Sequence, residues 1–290
     1  MPSPDYLPYH PDPKQPDTVL PAQSCDTHCH VFGPAASFPF AASSTYEPVD
    51  AAKATLFQRH RFLGLERAVI VQASCHGTDN SAMVDALLSG GDAYRGIAVV
   101  DASVSIEELE NMHSAGVRGV RFNFVKRLGG KPPDDTQRII LNRIAPLGWH
   151  VVVYFDSEDI HDLAPFLESI EVPVVIDHMG RVPVEQGVRS SAFEQLSTLL
   201  ENDKYWVKIS CPERLSKQGP PYDDVDEVAT ALLQQVPDRV LWGTDWPHPN
   251  MKSHMPDDGQ LVDRIVSICK TPERLQQVLV KNPSQLYWQS

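Results

Sequence analysis

The feature that most constrains the fold is a regular alternation of short apolar runs with segments of helical spacing. The run 68–73, Ala-Val-Ile-Val-Gln-Ala, is nearly continuous in apolar side chains and short, which is typical of a buried parallel strand. Comparable runs recur along the whole chain. The predicted strands are 25–30, 68–73, 95–100, 117–122, 149–155, 173–178, 205–210 and 239–244.

A segment with helical spacing follows each predicted strand, and one of these segments carries an explicit start signal. Ser105 is followed three residues later by Glu108, which is the capping-box pattern of a helix N-terminus. Pro165 lies inside another segment and disfavours a continuous helix there. The predicted helices are 53–62, 80–88, 105–114, 135–147, 159–170, 191–200, 224–235, 260–269 and 274–287.

Eight strands that are each followed by a helix predict an α/β fold, a (β/α)8 TIM barrel that forms a single domain over residues 24–290. A doubly wound open sheet is the alternative, but no glycine-rich dinucleotide turn follows the first strand. Residues 1–23 differ from the rest, and we expect them to form an extended arm over the barrel or to be partly disordered. This arm is rich in prolines, which disfavour a helix: Pro8, Pro11, Pro13, Pro16 and Pro21.

The net charge of the chain limits the class of ligand. The formal net charge is −13 over 290 residues. A protein this acidic is not expected to bind nucleic acid or an anionic membrane through bulk electrostatics. An anionic small molecule would need basic residues gathered at one place to overcome the overall field.

Cysteine usage and the N-terminus bear on the cellular compartment. The five cysteines fit no disulfide framework, so free thiols in a reducing cytoplasm are expected. The N-terminus has no basic region followed by an apolar run, which argues against a signal peptide. No apolar stretch approaches the roughly 20 residues that a membrane helix needs. The sequence therefore predicts a cytoplasmic protein.

A His-x-His pair ends the first predicted strand. Side chains two residues apart on a strand point the same way, so His28 and His30 should project together, with Asp26 one step below them. Two converging imidazoles suit a metal ion, an oxyanion or a proton relay. Histidines two apart also arise by chance, so the pair indicates a site only if polar residues at the ends of other strands accompany it.

The ends of the other predicted strands are also polar. In a barrel the C-terminal ends of all strands share one mouth, where active sites lie. Each of these groups alone has a structural explanation, such as capping a turn or orienting a neighbour. The candidates at the mouth are His28, His30, Ser74, Cys75, His76, Arg121, Asn123, Lys126, Arg127, Tyr154, Asp177, His178, Arg181, Ser210, Cys211, Glu213, Arg214, Asp245 and His248.

Several of these candidates are basic, which is unexpected in so acidic a chain. Arg121, Lys126, Arg127, Arg181 and Arg214 would together form a local anion site. The planar guanidinium fork binds carboxylates in bidentate fashion, so a small dicarboxylate is the expected partner. A carboxylate such as Asp245 could take a proton from water.

Five segments carry a resemblance to a known family. They are 26–33, 119–127, 177–180, 210–215 and 242–249, the last being Trp-Gly-Thr-Asp-Trp-Pro-His-Pro. With these segments the chain resembles the amidohydrolase superfamily and, more narrowly, its 2-pyrone-4,6-dicarboxylate lactonases. The resemblance covers residues 25–288, and the arginine-bearing segments are its more specific part.

The resemblance implies reversible hydrolysis of 2-pyrone-4,6-dicarboxylate to 4-oxalomesaconate in protocatechuate 4,5-cleavage, a route of lignin-derived aromatic catabolism. By matching position, Asp245 would be the general base. The other implied site residues are His28, His30 and His178 around the substrate carbonyl, and Ser74, Arg121, Arg127, Tyr154 and Arg214 at its carboxylates.

The resemblance and the residues both predict that no metal or other cofactor is needed. The fourth strand ends at Arg121 and Asn123, and the fifth ends at Tyr154, where metal ligands would be expected. A cationic Arg121 would also repel a divalent ion.

Three alternatives remain open. One is a metal-dependent lactonase or decarboxylase of the same superfamily, acting on another carboxylated substrate. A second is a catalytically inactive barrel that serves as a binding module. The third is a cysteine hydrolase that uses Cys75 or Cys211. The sequence leaves the oligomeric state open.

Overall fold

The computed structural model describes residues 6–126, 130–131 and 133–289 of the chain. Its sheet has eight parallel strands, and each strand pairs with the next in chain order. The strands are β1 Cys25–Cys29, β2 Arg67–Val71, β3 Tyr94–Ala98, β4 Val117–Asn123, β5 His150–Tyr154, β6 Val174–Ile176, β7 Tyr205–Lys208 and β8 Val240–Leu241.

Backbone hydrogen bonds join the segment after β8 to β1. The Thr27 amide donates to the Trp242 carbonyl at 2.9 Å, and the Asp245 amide donates to the His28 carbonyl at 2.7 Å. These bonds bring the two edges of the sheet together, as a barrel requires. The predicted (β/α)8 barrel is therefore confirmed, and the doubly wound alternative is wrong.

Helices surround the barrel, and the local start signal in the sequence is confirmed. The Ser105 hydroxyl accepts from the Glu108 amide, while the Glu108 carboxylate accepts from the Ser105 amide. The described α-helices are α1 Lys53–Leu63, α2 Ser81–Gly90, α3 Ile106–Ser114, α4 Asp134–Ile144, α5 Ile160–Ser169, α6 Ser191–Leu200, α7 Pro212–Leu215, α8 Asp226–Gln235, α9 Asp258–Cys269, α10 Pro272–Gln276 and α11 Asn282–Tyr287.

Two prolines act differently on their helices. Pro165 lies inside α5, which nevertheless continues because it buries Leu163 and Leu167 against the barrel. The predicted helix 274–287 is instead divided into α10, a π-helical turn Gln277–Lys281, and α11. Pro283 lies in the first turn of α11, where its missing N–H removes a helical hydrogen bond, and the wider π turn accommodates that loss.

The apolar residues form two layers. A large cluster fills the space between the strands and the helices. A smaller cluster fills the barrel interior and includes Val152, Trp206 and Tyr287. Because strand side chains alternate, the residues two positions after Val152 and Trp206, which are Tyr154 and Lys208, also point inward at the C-terminal mouth.

The N-terminal residues from Tyr6 onward lie against the barrel near the segment that follows β8. The Leu7 amide donates to the Met251 carbonyl at 2.8 Å, and the Tyr9 ring lies 5.2 Å from that of Trp246. Farther on, the Lys14 ammonium lies 2.6 Å from the Asp263 carboxylate of α9. Through these contacts the arm covers part of the mouth end.

Across the described ranges, none of the helices combines the length and the apolar character needed to cross a membrane.

Candidate active site

A bulge in β1 decides which of its polar side chains reach the barrel interior. Cys25 belongs to the interior cluster, whereas Cys29, four residues later, belongs to the outer one. Four steps along β1 therefore match three steps along β2, from Arg67 to Ile70, so β1 carries one extra residue. The shared direction of His28 and His30 is confirmed, with their ring centroids 5.1 Å apart.

The expected position of Asp26, on the same face as the two histidines, is wrong. Its Oδ1 accepts hydrogen bonds from the amides of His28 and Thr244, and its Oδ2 accepts from the Thr244 hydroxyl at 2.6 Å. The same Oδ2 lies 3.4 Å from the His60 ring on α1, outside the barrel. The bulge turns Asp26 outward, where it ties β1 to the segment after β8.

Asp245 lies at the centre of the site, on a backbone in the left-handed region with φ of 65°. Its Oδ1 lies 3.1 Å from His30 Nε2 and 3.5 Å from His28 Nε2. Its Oδ2 accepts two hydrogen bonds from Arg214, at 2.7 Å from Nη2 and 3.2 Å from Nε. A non-glycine residue adopts this backbone conformation at an energetic cost, and such residues cluster at functional sites.

The environment of Asp245 keeps its carboxylate ionised. Burial opposes the charge, but the Arg214 guanidinium and the hydrogen bond from His30 outweigh it and hold the pKa of Asp245 well below its usual value. The acid is therefore deprotonated near pH 7, which is the state that a general base requires.

His30 is hydrogen-bonded at both ring nitrogens. Nδ1 lies 2.8 Å from the Val71 carbonyl oxygen, and Nε2 lies 3.1 Å from Asp245 Oδ1. Both partners can only accept, so the two bonds form together only when the ring carries both protons.

His178 lies beside His28 and is held by the segment that follows β7. Its Nδ1 lies 2.8 Å from the Ser210 hydroxyl, and its ring centroid lies 4.6 Å from that of His28. Burial holds the pKa of His178 well below its usual value, so the ring is neutral near pH 7.

Asp177, next to His178, orients the basic wall of the site. Its Oδ2 accepts from Arg121 Nε at 3.0 Å and from Nη2 at 2.9 Å. Burial opposes ionisation, but Lys208, His28 and Arg121 hold the pKa of Asp177 well below its usual value. The Arg121 guanidinium also lies 4.8 Å from the centroid of the Tyr154 ring, a cation–π contact.

A small cavity at the mouth brings most of the predicted site residues together. His28 lies just beneath it, with Nε2 directed at Asp245. Arg127, a predicted carboxylate ligand, lies outside the described residues. The cavity is lined by His30, Tyr46, Ala73, Ser74, Arg121, Tyr154, His178, Arg214, Asp245, Pro249 and Asn250.

Several other candidates at the mouth do not line this cavity, and Lys126, Arg181 and His248 are three of them. Lys126 is 81% exposed and lies near Asp159. Arg181 pairs with Asp156 and donates to the Tyr154 hydroxyl, so it acts behind the cavity wall. The expected cluster of five basic side chains is therefore reduced, within the described chain, to Arg121 and Arg214 at the cavity itself.

His248, the third of these candidates, is buried away from the cavity between two carboxylates. Its Nε2 lies 2.9 Å from Asp258, and its Nδ1 lies 3.6 Å from Glu213. Burial disfavours the charged ring, but the two carboxylates outweigh it and raise the pKa of His248 to about 10. His248 is thus a buried cation that braces the loop after Asp245.

Sequence reasoning missed Lys208, which is completely buried at the end of β7. Its Nζ lies 3.1 Å from His28 Nδ1 and 3.2 Å from Asp177 Oδ1. Period-two alternation from Trp206, an interior residue, would have pointed to it. The apolar character of the surrounding run concealed that signal.

Three groups of donor atoms among the described residues have the spacing of a metal site, and one of them combines two site histidines with the proposed base. Ligand atoms of His28, His178 and Asp245 lie within 4.8 Å of one another. However, Arg214 Nη2 lies 2.7 Å from Asp245 Oδ2, and Lys208 Nζ lies 3.1 Å from His28 Nδ1. Positive charges this close oppose a divalent ion by like-charge repulsion. The spacing suits a metal, but the charge around it does not.

Known proteins share this chain's sequence and fold over nearly its full length. The amidohydrolase family model matches residues 25–288. The chain is 51% identical to a 2-pyrone-4,6-dicarboxylate hydrolase of Comamonas testosteroni, with 99% of this chain and 97% of that protein covered. It is 35% identical to a 4-sulfomuconolactone hydrolase of Hydrogenophaga intermedia, with 93% and 90% covered.

A solved structure from Acinetobacter baumannii is described as a probable 2-pyrone-4,6-dicarboxylic acid hydrolase with citric acid bound. Its TM-score to this chain is 0.80 at 27% identity, and the match covers 92% of this chain and 100% of that one. Family, curated relatives and fold all agree with the motifs at the strand ends. The chain belongs to the amidohydrolase family.

Proposed function

We propose that this protein hydrolyses the lactone bond of 2-pyrone-4,6-dicarboxylate to give 4-oxalomesaconate, reversibly, in the breakdown of lignin-derived aromatic compounds. One observation carries the proposal. The ionised Asp245 stands between two histidines and an arginine, on the wall of a cavity that holds a second arginine. The similarity to the Comamonas hydrolase supplies the substrate.

In the proposed reaction Asp245 takes a proton from water as the water oxygen attacks the lactone carbonyl carbon. The carbonyl oxygen gains negative charge and needs nearby hydrogen-bond donors, the role proposed for His28 and His178. His30 lies beside them, with its ring hydrogen-bonded to Asp245. The bond from the carbonyl carbon to the ring oxygen then breaks. The ring oxygen leaves as a conjugated enolate, which takes up a proton and needs less assistance than an amide nitrogen would.

The proposed carboxylate ligands are Arg121 and Arg214, with Ser74 and Tyr154 beside them. Arg127 is proposed as a further ligand from the sequence resemblance alone. Each of the two described arginines binds an aspartate through Nε and Nη2, which leaves Nη1 without a hydrogen-bond partner among the described residues. A substrate carboxylate can bind there. The citric acid in the Acinetobacter structure is in keeping with a site for polycarboxylates.

The deciding experiment mixes the purified protein with 2-pyrone-4,6-dicarboxylate and follows the ultraviolet absorbance of the pyrone. We expect the protein to make the absorbance fall until an equilibrium is reached. The same equilibrium should be reached when the reaction starts from 4-oxalomesaconate. An uncharged 2-pyrone serves as the matched control substrate and should react far more slowly. Indifference to the dicarboxylate, or preference for the uncharged ring, would refute the proposal.

We also propose that turnover needs no divalent metal. Arg214 beside Asp245 and Lys208 beside His28 already supply positive charge where a metal would lie. Elemental analysis should find no stoichiometric metal, and activity should survive exhaustive chelation. Loss of activity on chelation, with recovery on adding zinc, would favour the metal-dependent alternative.

The cytoplasm is the proposed compartment, and a small dicarboxylate is the proposed partner, with no role for nucleic acid. All five cysteines are buried and unpaired, in keeping with a reducing environment.

A further inference from the structure

Among the described residues, Lys208 is the only lysine on a barrel strand that contacts residues of the site. Its side chain is wholly buried, and burial lowers the pKa of its ammonium while Asp177 acts to raise it. A lysine is buried this completely only when its charge or its hydrogen bonds are satisfied. Here the two groups within reach are Asp177 Oδ1 and His28 Nδ1.

We propose that Lys208 is a positioning residue that selects the tautomer of His28, so that the proton of this ring lies on Nε2 and points at the reacting carbonyl. The inference rests on the proposed hydrolysis for its functional part. Its structural part, the tautomer, stands on the contacts of the ligand-free protein.

The contacts of His28 Nδ1 favour this tautomer. Nδ1 lies 3.1 Å from Lys208 Nζ, a donor, and 3.2 Å from Asp177 Oδ1, an acceptor. A proton on Nδ1 would face the lysine protons at hydrogen-bond distance. With Nδ1 bare, Lys208 donates to the ring and forms an ion pair with Asp177 Oδ1 at 3.2 Å. Asp177 Oδ2 is already bound by Arg121, which leaves Oδ1 to the lysine.

The surroundings of the second ring nitrogen of His28, Nε2, favour the same tautomer. His28 Nε2 is buried and has no hydrogen-bond partner in the described structure. It lies 3.5 Å from Asp245 Oδ1, an acceptor that suits an N–H there. Burial and the positive charge of Lys208 lower the pKa of His28 to about 3, so a single proton remains on the ring near pH 7. An N–H without a partner beside the base is the donor that a developing oxyanion needs.

The first test needs no variant. Nitrogen-15 spectra of the full-length, ligand-free protein, labelled in its histidine rings, distinguish a bare ring nitrogen from a protonated one. The His28 signals are assigned by their loss in His28→Gln. We expect Nε2 protonated and Nδ1 bare. A proton on Nδ1, donated to Asp177, would overturn the proposal whatever the enzyme turns over.

The second test removes the donor in Lys208→Met, which keeps the length and apolar stem. The His28 proton should shift at least partly to Nδ1, and kcat for the pyrone should fall by roughly 10²-fold, the usual effect of losing one oxyanion donor. KM should stay near the parent value because Arg121 keeps its two contacts to Asp177 Oδ2 and Arg214 is untouched. An unchanged tautomer or a parental kcat would contradict the proposal.

Lys204→Met is the matched control. Lys204 lies just before β7 at the opposite end of the barrel, where its ammonium donates to three carbonyls at the end of α5. Its loss should lower the melting temperature and leave kcat unchanged. If Lys208→Met does not fold, the spectrum of the parent protein decides the proposal. A parent protein that does not hydrolyse the pyrone would refute the proposed function and leave the tautomer result intact.

Discussion

Asp245→Asn is expected to lower the hydrolytic rate by roughly 10²–10⁴-fold, the usual contribution of a general base. The amide keeps the size and shape of the side chain but cannot accept the proton of the attacking water. Arg214 loses its charged partner at 2.7 Å, yet it remains bound to the Pro249 carbonyl at the same distance. The arginine therefore stays at the cavity, and substrate affinity should largely persist.

The measurement is kcat and KM for the pyrone, with binding to the inactive variant followed by calorimetry. Asp258→Asn is the matched control, because Asp258 is as buried as Asp245 but binds His248 and Arg59 away from the cavity. It should lower thermal stability while keeping most of the turnover. Near-parental turnover of Asp245→Asn would exclude Asp245 as the base.

Arg121→Met and Arg214→Met should each raise KM or lower kcat/KM by roughly 10- to 150-fold. This corresponds to about 1.5–3 kcal/mol for one charge-assisted hydrogen-bonded contact. Methionine keeps an apolar stem of similar length and removes every donor. Steady-state kinetics with the dicarboxylate check the effect, and in Arg121→Met, which leaves Asp245 untouched, the uncharged pyrone should show little of it. Normal hydrolysis by both variants would mean that the carboxylates bind elsewhere.

Arg214→Met should also change the pH dependence, and the sign follows from the charges. The base works only when ionised, so activity is lost as the pH falls through the pKa of Asp245. In the parent enzyme Arg214 helps to hold that pKa well below its usual value. Removing the guanidinium lets burial raise the pKa, so the acid limb of the rate profile should move to higher pH in Arg214→Met. Arg121, which pairs with Asp177, should leave that limb in place.

Local features were predictable because they depend on neighbours in the chain. The capping box at Ser105 needs only the residue three positions later, and both of its hydrogen bonds are present. The eight apolar runs predicted the barrel because the alternation leaves few ways to bury them. The convergence of His30, Arg121, His178 and Asp245 on one cavity followed from the same rule, since parallel strands all end at one mouth.

Ends of elements were less predictable where long-range packing decides them. The predicted strand 239–244 shrinks to Val240–Leu241. At Gly243 a Cβ would lie 2.4 Å from the His28 amide nitrogen, so only glycine permits the close approach of this segment to β1. The backbone then ends its pairing with β7, stays hydrogen-bonded to β1, and turns Asp245 into the site. No local pattern in the eighth strand contains that contact.

The sequence by itself determined the barrel, the ring of polar residues at its mouth and the family. Only the tertiary structure decided the directions and partners of those residues. The β1 bulge, defined by pairing with β2, turns Asp26 outward and keeps both histidines inside. The contact between His28 and Lys208 joins residues 180 positions apart, which no spacing rule covers. Such pairs form because buried charges must find partners, and which partners lie within reach is known only once the barrel is closed.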